Sequence, residues 1–149
     1  MKTKVFAWLL LVDRLNTRDL LRRRHWNVTE DNTCVLCPAR VYEDRIHLFF
    51  HCNFSARIWY YLQIDWQQHD DLQVVLSEAK RSFRQPFFME VIITACWNIW
   101  LIRNGRIFRQ EYVSFARWKA KFVQDMFWLQ YRIKAKHKDS LLSWLKSLP

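Results

Sequence analysis

Glycine and proline are so scarce in this sequence that they limit the folds open to it. The 149 residues include one glycine, Gly105, and three prolines, Pro38, Pro86 and Pro149. All-β folds need these residues for tight turns, and many nucleotide-binding enzymes need glycine-rich loops to hold phosphates. Because 51% of the residues are hydrophobic, the chain can still build a core. The sequence predicts a mainly α-helical protein of one ordinary domain or two very small ones.

The amino-terminal third is predicted to contain three helices. In the first helix, four apolar residues share a face that we expect to be buried: Val5, Trp8, Leu9 and Val12. A cap at residues 16–17 precedes a short second helix, and Asp44 is expected to cap a turn from Ile46 to Phe50. Asn53 is expected to cap the third helix, whose apolar face consists of Phe54, Ile58, Trp59 and Leu62.

The remainder of the chain predicts a break followed by longer helices. Residues 67–86 are predicted to be a linker or irregular segment. From Phe87 to Phe108 the apolar positions keep helical spacing, with Gly105 as a stop or kink. Ser114 is expected to cap a long helix, and a last short helix opens at Asp139 or Ser140. The apolar stripe of the long helix comprises Phe115, Trp118, Phe122, Met126, Leu129 and Ile133.

Three of the four cysteines lie within nineteen residues, together with two histidines. The spacing is C-x2-C-x9-H-x4-C over Cys34, Cys37, His47 and Cys52. Two cysteines separated by two residues can bind one ion, and a second pair from a helical turn completes the tetrahedron that Zn²⁺ prefers. A disulfide between the first two cysteines is the competing interpretation, but the accompanying histidines favour metal. Spacing alone leaves His51 as an alternative to Cys52.

The number of ligands indicates what kind of metal site this is. Four protein ligands leave no open coordination position, so we expect one structural Zn²⁺ and not a catalytic ion. Cys96 lies on an apolar helix face and is interpreted as a small core residue.

The charge of the chain favours an anionic partner. The formal net charge is +10, and 15 of the 24 basic residues are arginine, which binds phosphate in a bidentate manner. By segment, the charge is +3 in residues 1–53, −1 in 54–102 and +8 in 103–138. We therefore expect RNA or DNA to bind through its phosphates. The expected contacts are Arg22, Arg23, Arg24, Arg40 and Arg45, the stacking residue Trp26, and Arg117, Lys119, Lys121, Arg132, Lys134 and Lys136.

Five segments carry a family resemblance: Lys4–Leu9, Asp13–Leu20, Cys34–Cys37, Asp44–Cys52 and Phe54–Trp59. Together they resemble the reverse transcriptase zinc-binding domain that follows the polymerase in plant non-LTR (LINE-type) retrotransposons. Residues 96–108 resemble the helical segment usually found downstream. The resemblance implies that Cys34, Cys37, His47 and Cys52 bind the metal, which favours Cys52 over His51.

Two departures from that family concern the cysteine loop and the amino terminus. Family members commonly carry glycine after the second cysteine, where this chain has Pro38, so the loop is expected to differ there. Family members also usually have more sequence before Lys4, and the resemblance thus implies an amino-terminally truncated, free-standing copy.

No catalytic arrangement is predicted. The chain is too short for a polymerase palm, the acidic residues are scattered, and Asp70 and Asp71 are interpreted as solvated. No secretory cleavage site follows the first apolar run, and no run approaches the length needed to cross a bilayer. We expect an intracellular protein, nuclear or cytoplasmic and not secreted, with neither a membrane partner nor a small-molecule substrate.

The predicted organisation has a zinc-binding helical domain at residues 1–66 and a basic helical region at residues 87–149, either packed together or separate. The first functional hypothesis is a non-catalytic, zinc-containing nucleic-acid-binding module derived from a retrotransposon. The alternative is a protein-protein interaction adaptor that uses its aromatic carboxy-terminal helices, with the apolar face of the helix after Ser114 binding a partner helix.

Overall fold

A computed structural model describes residues 2–26, 31–67, 69 and 71–149. Within these ranges the chain forms seven α-helices, a π-helical turn at His47–His51 and a 3₁₀ turn at Ala135–His137. The described part contains no β-strand, only an isolated antiparallel bridge between Thr33 and Tyr42. The predicted mainly α-helical class is confirmed. The helices are α1 (Lys2–Leu11), α2 (Arg18–Arg23), α3 (Asn53–Leu62), α4 (Leu72–Phe83), α5 (Phe88–Arg109), α6 (Phe115–Leu129) and α7 (Lys138–Ser147).

Two of the three predicted helix caps form. The Thr17 side chain accepts a hydrogen bond from the backbone N–H of Leu20 at the start of α2, and Ser114 accepts one at the start of α6. The prediction that Asn53 caps α3 is wrong. Cys52 occupies the cap position with an extended backbone, and Asn53 is the first helical residue.

Helix α4 occupies most of the segment that was predicted to be a linker or irregular, so that prediction is wrong for residues 72–83. Asp71 begins the helix by accepting a hydrogen bond from the backbone N–H of Gln73 at 2.8 Å, and it is therefore a capping residue. Leu72, Val75 and Ala79 are buried and fix the helix against the core. Gln68 and Asp70 lie outside the described residues.

Helix α1 forms as predicted, but it buries a different face. The side chains of Val5 and Trp8 are 55% and 60% exposed, and the following Val12 is also exposed. Phe6 and Leu10 are buried instead, and the Phe6 ring lies against Phe49 and Trp97 of α5. The expected buried face is wrong because α1 is apolar on nearly every side, so its own spacing does not select the face that packs.

Helix α5 is the longest helix and passes through the core. It continues through Gly105 to Arg109, so the prediction that the helix stops at this glycine is wrong. A Cβ atom at Gly105 would meet the Glu111 carboxylate, which is the end of a flexible side chain and can move away. Phe108 was predicted to share the apolar face, but 73% of this residue is exposed.

Helix α6 packs its predicted apolar stripe against the rest of the protein. Trp118, Phe122 and Met126 are fully buried, and the Trp118 indole N–H donates to the Ala95 carbonyl of α5. Asn98 of α5 donates to the Asp125 carboxylate at 3.0 Å, a second tie between the two helices. This burial contradicts the hypothesis that the apolar face of α6 is free to bind a partner helix.

One hydrophobic cluster connects the two halves of the chain. It contains Phe6 and Leu48 from the first half together with Ile99, Trp118 and Leu141 from the second. Among the described residues, no single helix is long and apolar enough to span a bilayer. Helices α4 and α5 are long and apolar enough to span a bilayer only when they are counted together, and the chain bends by 119° between them.

Candidate metal centre

The first two cysteines lie in a loop held closed by backbone hydrogen bonds. We call residues 33–42 the cysteine loop. The Cys34 N–H donates to the Val41 carbonyl at 2.9 Å, and the Glu43 N–H donates to the Asn32 carbonyl at the same distance. The left-handed residue of this loop is Arg40, with φ of 51°, and not the position after the second cysteine. The loop accommodates Pro38 by placing its tight bend two residues later.

The π-helical turn supplies His47. Asp44 accepts a hydrogen bond from the His47 backbone N–H at 2.7 Å, which confirms the predicted cap of this turn. Two side chains of α3 then bind the carbonyls of the turn: the Ser55 hydroxyl donates to Leu48, and the Trp59 indole N–H donates to Phe49. The histidine is thus held between its own cap and the buried face of α3.

Cys52 lies at the amino terminus of α3. The backbone N–H groups of Phe54 and Ser55 bind its sulfur, as expected where a helix terminus has unpaired donors and a positive dipole end. Such an environment stabilises a thiolate, the form in which cysteine binds metal.

The four predicted ligands converge. The ligand atoms of Cys34, Cys37, His47 and Cys52 all lie within 4.8 Å of one another. The sulfurs of Cys34 and Cys52 are 3.8 Å apart, and the Cys37 sulfur is 3.5 Å from His47 Nε2. A tetrahedral zinc with Zn–S bonds of about 2.3 Å and Zn–N bonds of about 2.0 Å requires separations of about 3.8 and 3.5 Å. The cluster therefore fits one structural zinc.

The protonation of the three thiols is uneven. The Cys34 thiol donates to Cys52, and this bond, together with the α3 N–H groups, lowers the pKa of Cys52 to about 6 although the thiol is buried. The same contact and burial raise the pKa of Cys34, and burial raises the pKa of Cys37. Since zinc binds three thiolates, ion binding releases the protons of Cys34 and Cys37.

The remaining candidate ligands lie elsewhere. His51 is exposed and does not belong to the cluster, so the geometry selects Cys52 between the two alternatives that spacing left open. Cys96 is buried in α5, as expected for a core residue, and burial raises the pKa of its thiol.

A buried ion pair next to the cysteine loop was not predicted. The Arg103 guanidinium of α5 donates to both carboxylate oxygens of Glu43, at 2.6 and 3.3 Å, and both residues are at least 96% buried. The Arg18 backbone N–H also donates to Glu43, at 3.0 Å. This pair fastens α5 and α2 to the end of the cysteine loop. The sequence held no local signal for this pair, because Arg103 is one of three arginines near the end of α5 and Glu43 lies 60 positions away.

The predicted nucleic-acid contacts near the cysteine loop fall into two groups. Arg22 and Arg23 form ion pairs with Asp19, and Arg45 donates to the carbonyls of Leu10 and Leu11 that end α1. These three side chains have structural partners. Arg24 and Arg40 lack a carboxylate partner among the described residues. The Arg24 guanidinium lies 5.8 Å from the exposed Trp26 ring, and Arg40 is exposed.

The carboxy-terminal contacts divide in the same way. Arg117 pairs with Glu111 and Lys121 pairs with Asp125, while Lys119 lies over the Tyr61 ring. Exposed residues without a carboxylate partner in the described part of the chain are Arg132, Lys134 and Lys136. The structure also places Arg132 in a groove with Lys4 and Lys121, which the sequence did not indicate.

A Cys₃His cluster in a helical scaffold defines a zinc-binding protein with a structural ion. A family model described as zinc-binding in reverse transcriptase matches residues 1–59. The match includes all four ligands and supports a reverse transcriptase zinc-binding domain in this part of the chain. The family is a zinc-binding region and not the catalytic polymerase domain. No curated protein and no solved structure matches the chain.

Proposed function

We propose that this protein is a non-catalytic, zinc-stabilised module that binds RNA or DNA through its phosphates. The observation that carries the proposal is the surplus of cations without a carboxylate partner among the described residues of a protein with a structural zinc site. Ion pairs among the described residues hold only nine of the 24 lysine and arginine side chains. Unpaired cations are favourable phosphate contacts because they need not first give up a carboxylate partner.

The structure refines the set of contacts that we propose. Arg40 of the cysteine loop, Trp26 after α2, and Arg132, Lys134 and Lys136 after α6 are exposed, while Arg24 is half-buried. Arg45 is better explained as a cap on the end of α1, since both of its bonds run to carbonyls.

Salt dependence of binding tests the proposal. The zinc-loaded protein is titrated with fluorescein-labelled single-stranded RNA and duplex DNA over about 50 to 200 mM salt. We expect the logarithm of the affinity to fall linearly with the logarithm of the salt concentration. Weak binding that is indifferent to salt would overturn the proposal.

A pair of triple variants tests whether the binding surface is specific. Replacing Arg132, Lys134 and Lys136 by glutamine is expected to reduce the salt slope by about three. The matched control replaces by glutamine three exposed cations that lie outside the proposed contacts: Lys80, Arg84 and Lys146. If both triple variants weaken binding equally, net charge alone attracts the nucleic acid, and no defined surface exists.

The alternative function, a protein-interaction adaptor, now depends on a different surface. Phe127, Trp128 and Tyr131 are 46%, 59% and 66% exposed, and their rings contact one another at the end of α6. A contiguous aromatic cluster of this kind is typical of protein interfaces. Sedimentation of the purified protein, before and after replacing Trp128 by serine, tests for self-association through this cluster. A monomer in both cases argues against self-association there.

We further propose the origin and location that the sequence resemblance implies: a LINE-type retrotransposon of a plant, and an intracellular site, either nuclear or cytoplasmic. Three reduced cysteines at a metal site suit a reducing compartment. A fluorescent fusion observed in cells tests the location, and secretion of the fusion would contradict it.

A further inference from the structure

A groove lies directly beside the cysteine loop. Its volume is about 870 Å³, and it is bounded by α2 with the residues before it, by Val35 of the cysteine loop, and by the last turns of α5. Three arginines line it, and none of its described lining residues is aspartate or glutamate. Every charged residue that lines this concave surface in the described part of the chain is therefore an arginine.

One of the three arginines has a free charge. The Arg103 charge is compensated by Glu43, and the Arg18 guanidinium forms an ion pair with Asp31 at 3.4 Å. Arg106 is exposed and forms no ion pair with any described carboxylate. An anionic group entering the groove would find its available partner in Arg106.

The α5 wall of this groove alternates aromatic and amide side chains. Trp100, Asn104 and Phe108 recur every four residues, so they form one row along the helix. Asn104 accepts a hydrogen bond from Arg103 through its Oδ1 at 3.0 Å, which leaves its NH₂ group to donate elsewhere. Phe108 makes no ring contact with another described aromatic residue, and it is largely exposed at the groove edge.

We propose that this groove binds an unpaired nucleotide of a single-stranded nucleic acid. The base stacks on Phe108, the Asn104 amide donates to an acceptor on the base edge, and Arg106 binds the phosphate. The inference rests on the proposed function and names the part of the nucleic acid that this surface takes. A paired base cannot stack on Phe108 because both of its faces are covered in a duplex.

Binding measured at constant salt tests the groove. Labelled oligouridylate, oligothymidylate and a duplex of the same length are titrated into the zinc-loaded wild type and Phe108→Ala. Since 73% of Phe108 is exposed, this replacement should preserve the fold, which zinc content and circular dichroism check. We expect about tenfold weaker binding of single strands, and no change for the duplex.

Two further variants separate stacking from charge. Tyr60→Ala removes another largely exposed aromatic residue, on α3 and outside the groove, and should bind all three probes as the wild type does. Arg106→Gln should weaken single-strand binding and lower its salt slope by about one. Photocrosslinking with 5-bromouridine RNA should join the RNA to residues of the groove wall. The two single-stranded probes show whether the groove distinguishes RNA from DNA.

The outcomes distinguish the two proposals. If the wild type binds none of the probes, both the proposed function and the groove are wrong. If the wild type binds single strands and Phe108→Ala binds them equally well, the groove proposal is overturned while the proposed function stands. An equal loss of single-strand and duplex binding by Phe108→Ala also overturns base stacking in the groove.

Discussion

At the scale of single residues, the metal centre depends on which side chains converge and on their protonation. Cys34, Cys37, His47 and Cys52 approach one another at the separations that tetrahedral zinc requires. Adjacent residues differ sharply: His51 is exposed, whereas Cys52 is fully buried. Each ligand can therefore be tested against a close neighbour.

Replacing Cys52 by serine is expected to abolish stoichiometric zinc binding because one of the three thiolates, and with it the fourth ligand, is lost. The matched control is His51→Ala, which should retain one zinc per chain since this histidine lies outside the cluster. Elemental analysis after dialysis measures both variants. Retention of zinc by the Cys52 variant and its loss from the His51 variant would show that the ligand assignment is wrong.

Zinc affinity is expected to fall as the pH is lowered. The pKa values of Cys34 and Cys37 are raised, so both thiols carry protons near neutral pH and release them to bind zinc. Two released protons correspond to roughly a hundredfold loss of affinity per pH unit. The dependence should steepen below about pH 6, the pKa of Cys52, where a third proton competes. Competition with a chromophoric chelator measures the zinc affinity at each pH. An affinity that does not change with pH would contradict the assignment of the thiols as ligands.

At the scale of secondary-structure elements, the structure decides which surface of each helix is buried. Helix α1 is the clearest case, because Phe6 and Leu10 pack inward while Val5 and Trp8 face outward. Side-chain caps explain where three of the helices begin. Thr17, Asp71 and Ser114 each accept a backbone hydrogen bond at a helix start. Capping residues are local signals, but the buried side of an all-round apolar helix is not.

The orientation of α1 is tested by alanine replacements on its two sides. Leu10→Ala is expected to reduce the free energy of unfolding by about 2 to 5 kcal/mol, because it leaves a cavity in the core. Val5→Ala should change it by about 0.5 kcal/mol or less, since the side chain is 55% exposed. Urea denaturation measures both, and the reverse order of effects would show that α1 packs by its other face.

The Glu43–Arg103 pair holds α5 in place, and losing one of its two charges is expected to lower the free energy of unfolding. Replacing Arg103 by methionine leaves the Glu43 carboxylate buried without its partner, which costs about 3 to 5 kcal/mol. Lys121→Met breaks the more exposed pair with Asp125 and should cost less than about 1 kcal/mol. Chemical denaturation compares the two variants. Similar losses in both would mean that the Glu43–Arg103 pair is not effectively buried.

At the scale of the whole molecule, zinc site and helices share one core. The hydrophobic cluster contains the zinc ligands Cys34 and Cys52 together with residues of α5, α6 and α7. The buried ion pair adds a direct link between the cysteine loop and α5. A disturbance of the zinc site should therefore reach the carboxy-terminal helices.

We expect the zinc-loaded protein to unfold in one cooperative transition, and chelation to lower the midpoint for the entire chain. Each kcal/mol lost should lower Tm by about 2 to 4 °C for a domain of this size. Tryptophan fluorescence and far-ultraviolet circular dichroism should give coincident curves, since Trp59 and Trp118 are buried in opposite halves of the chain. Two separated transitions, of which only one responds to chelator, would instead show two independent domains.

Sequence patterns predicted the mainly helical class and the caps at residues 16–17 and Ser114, and with the family resemblance they also predicted the zinc ligand set. Helical spacing and caps depend on residues within a few positions of one another, and the four ligands lie within nineteen residues. The sequence also contained the helical spacing of Leu72, Val75, Leu76 and Ala79, although residues 67–86 were interpreted as a linker.

The packed structure was needed to show which face of α1 is buried, that Phe108 is exposed, and that Glu43 and Arg103 meet. Glu43 and Arg103 lie 60 positions apart, and no local pattern relates them. The same holds for the groove, whose walls come from α2, the cysteine loop and α5. Which residues are buried or paired over such distances depends on how all the apolar surfaces pack into one core. This packing is defined only in the complete fold.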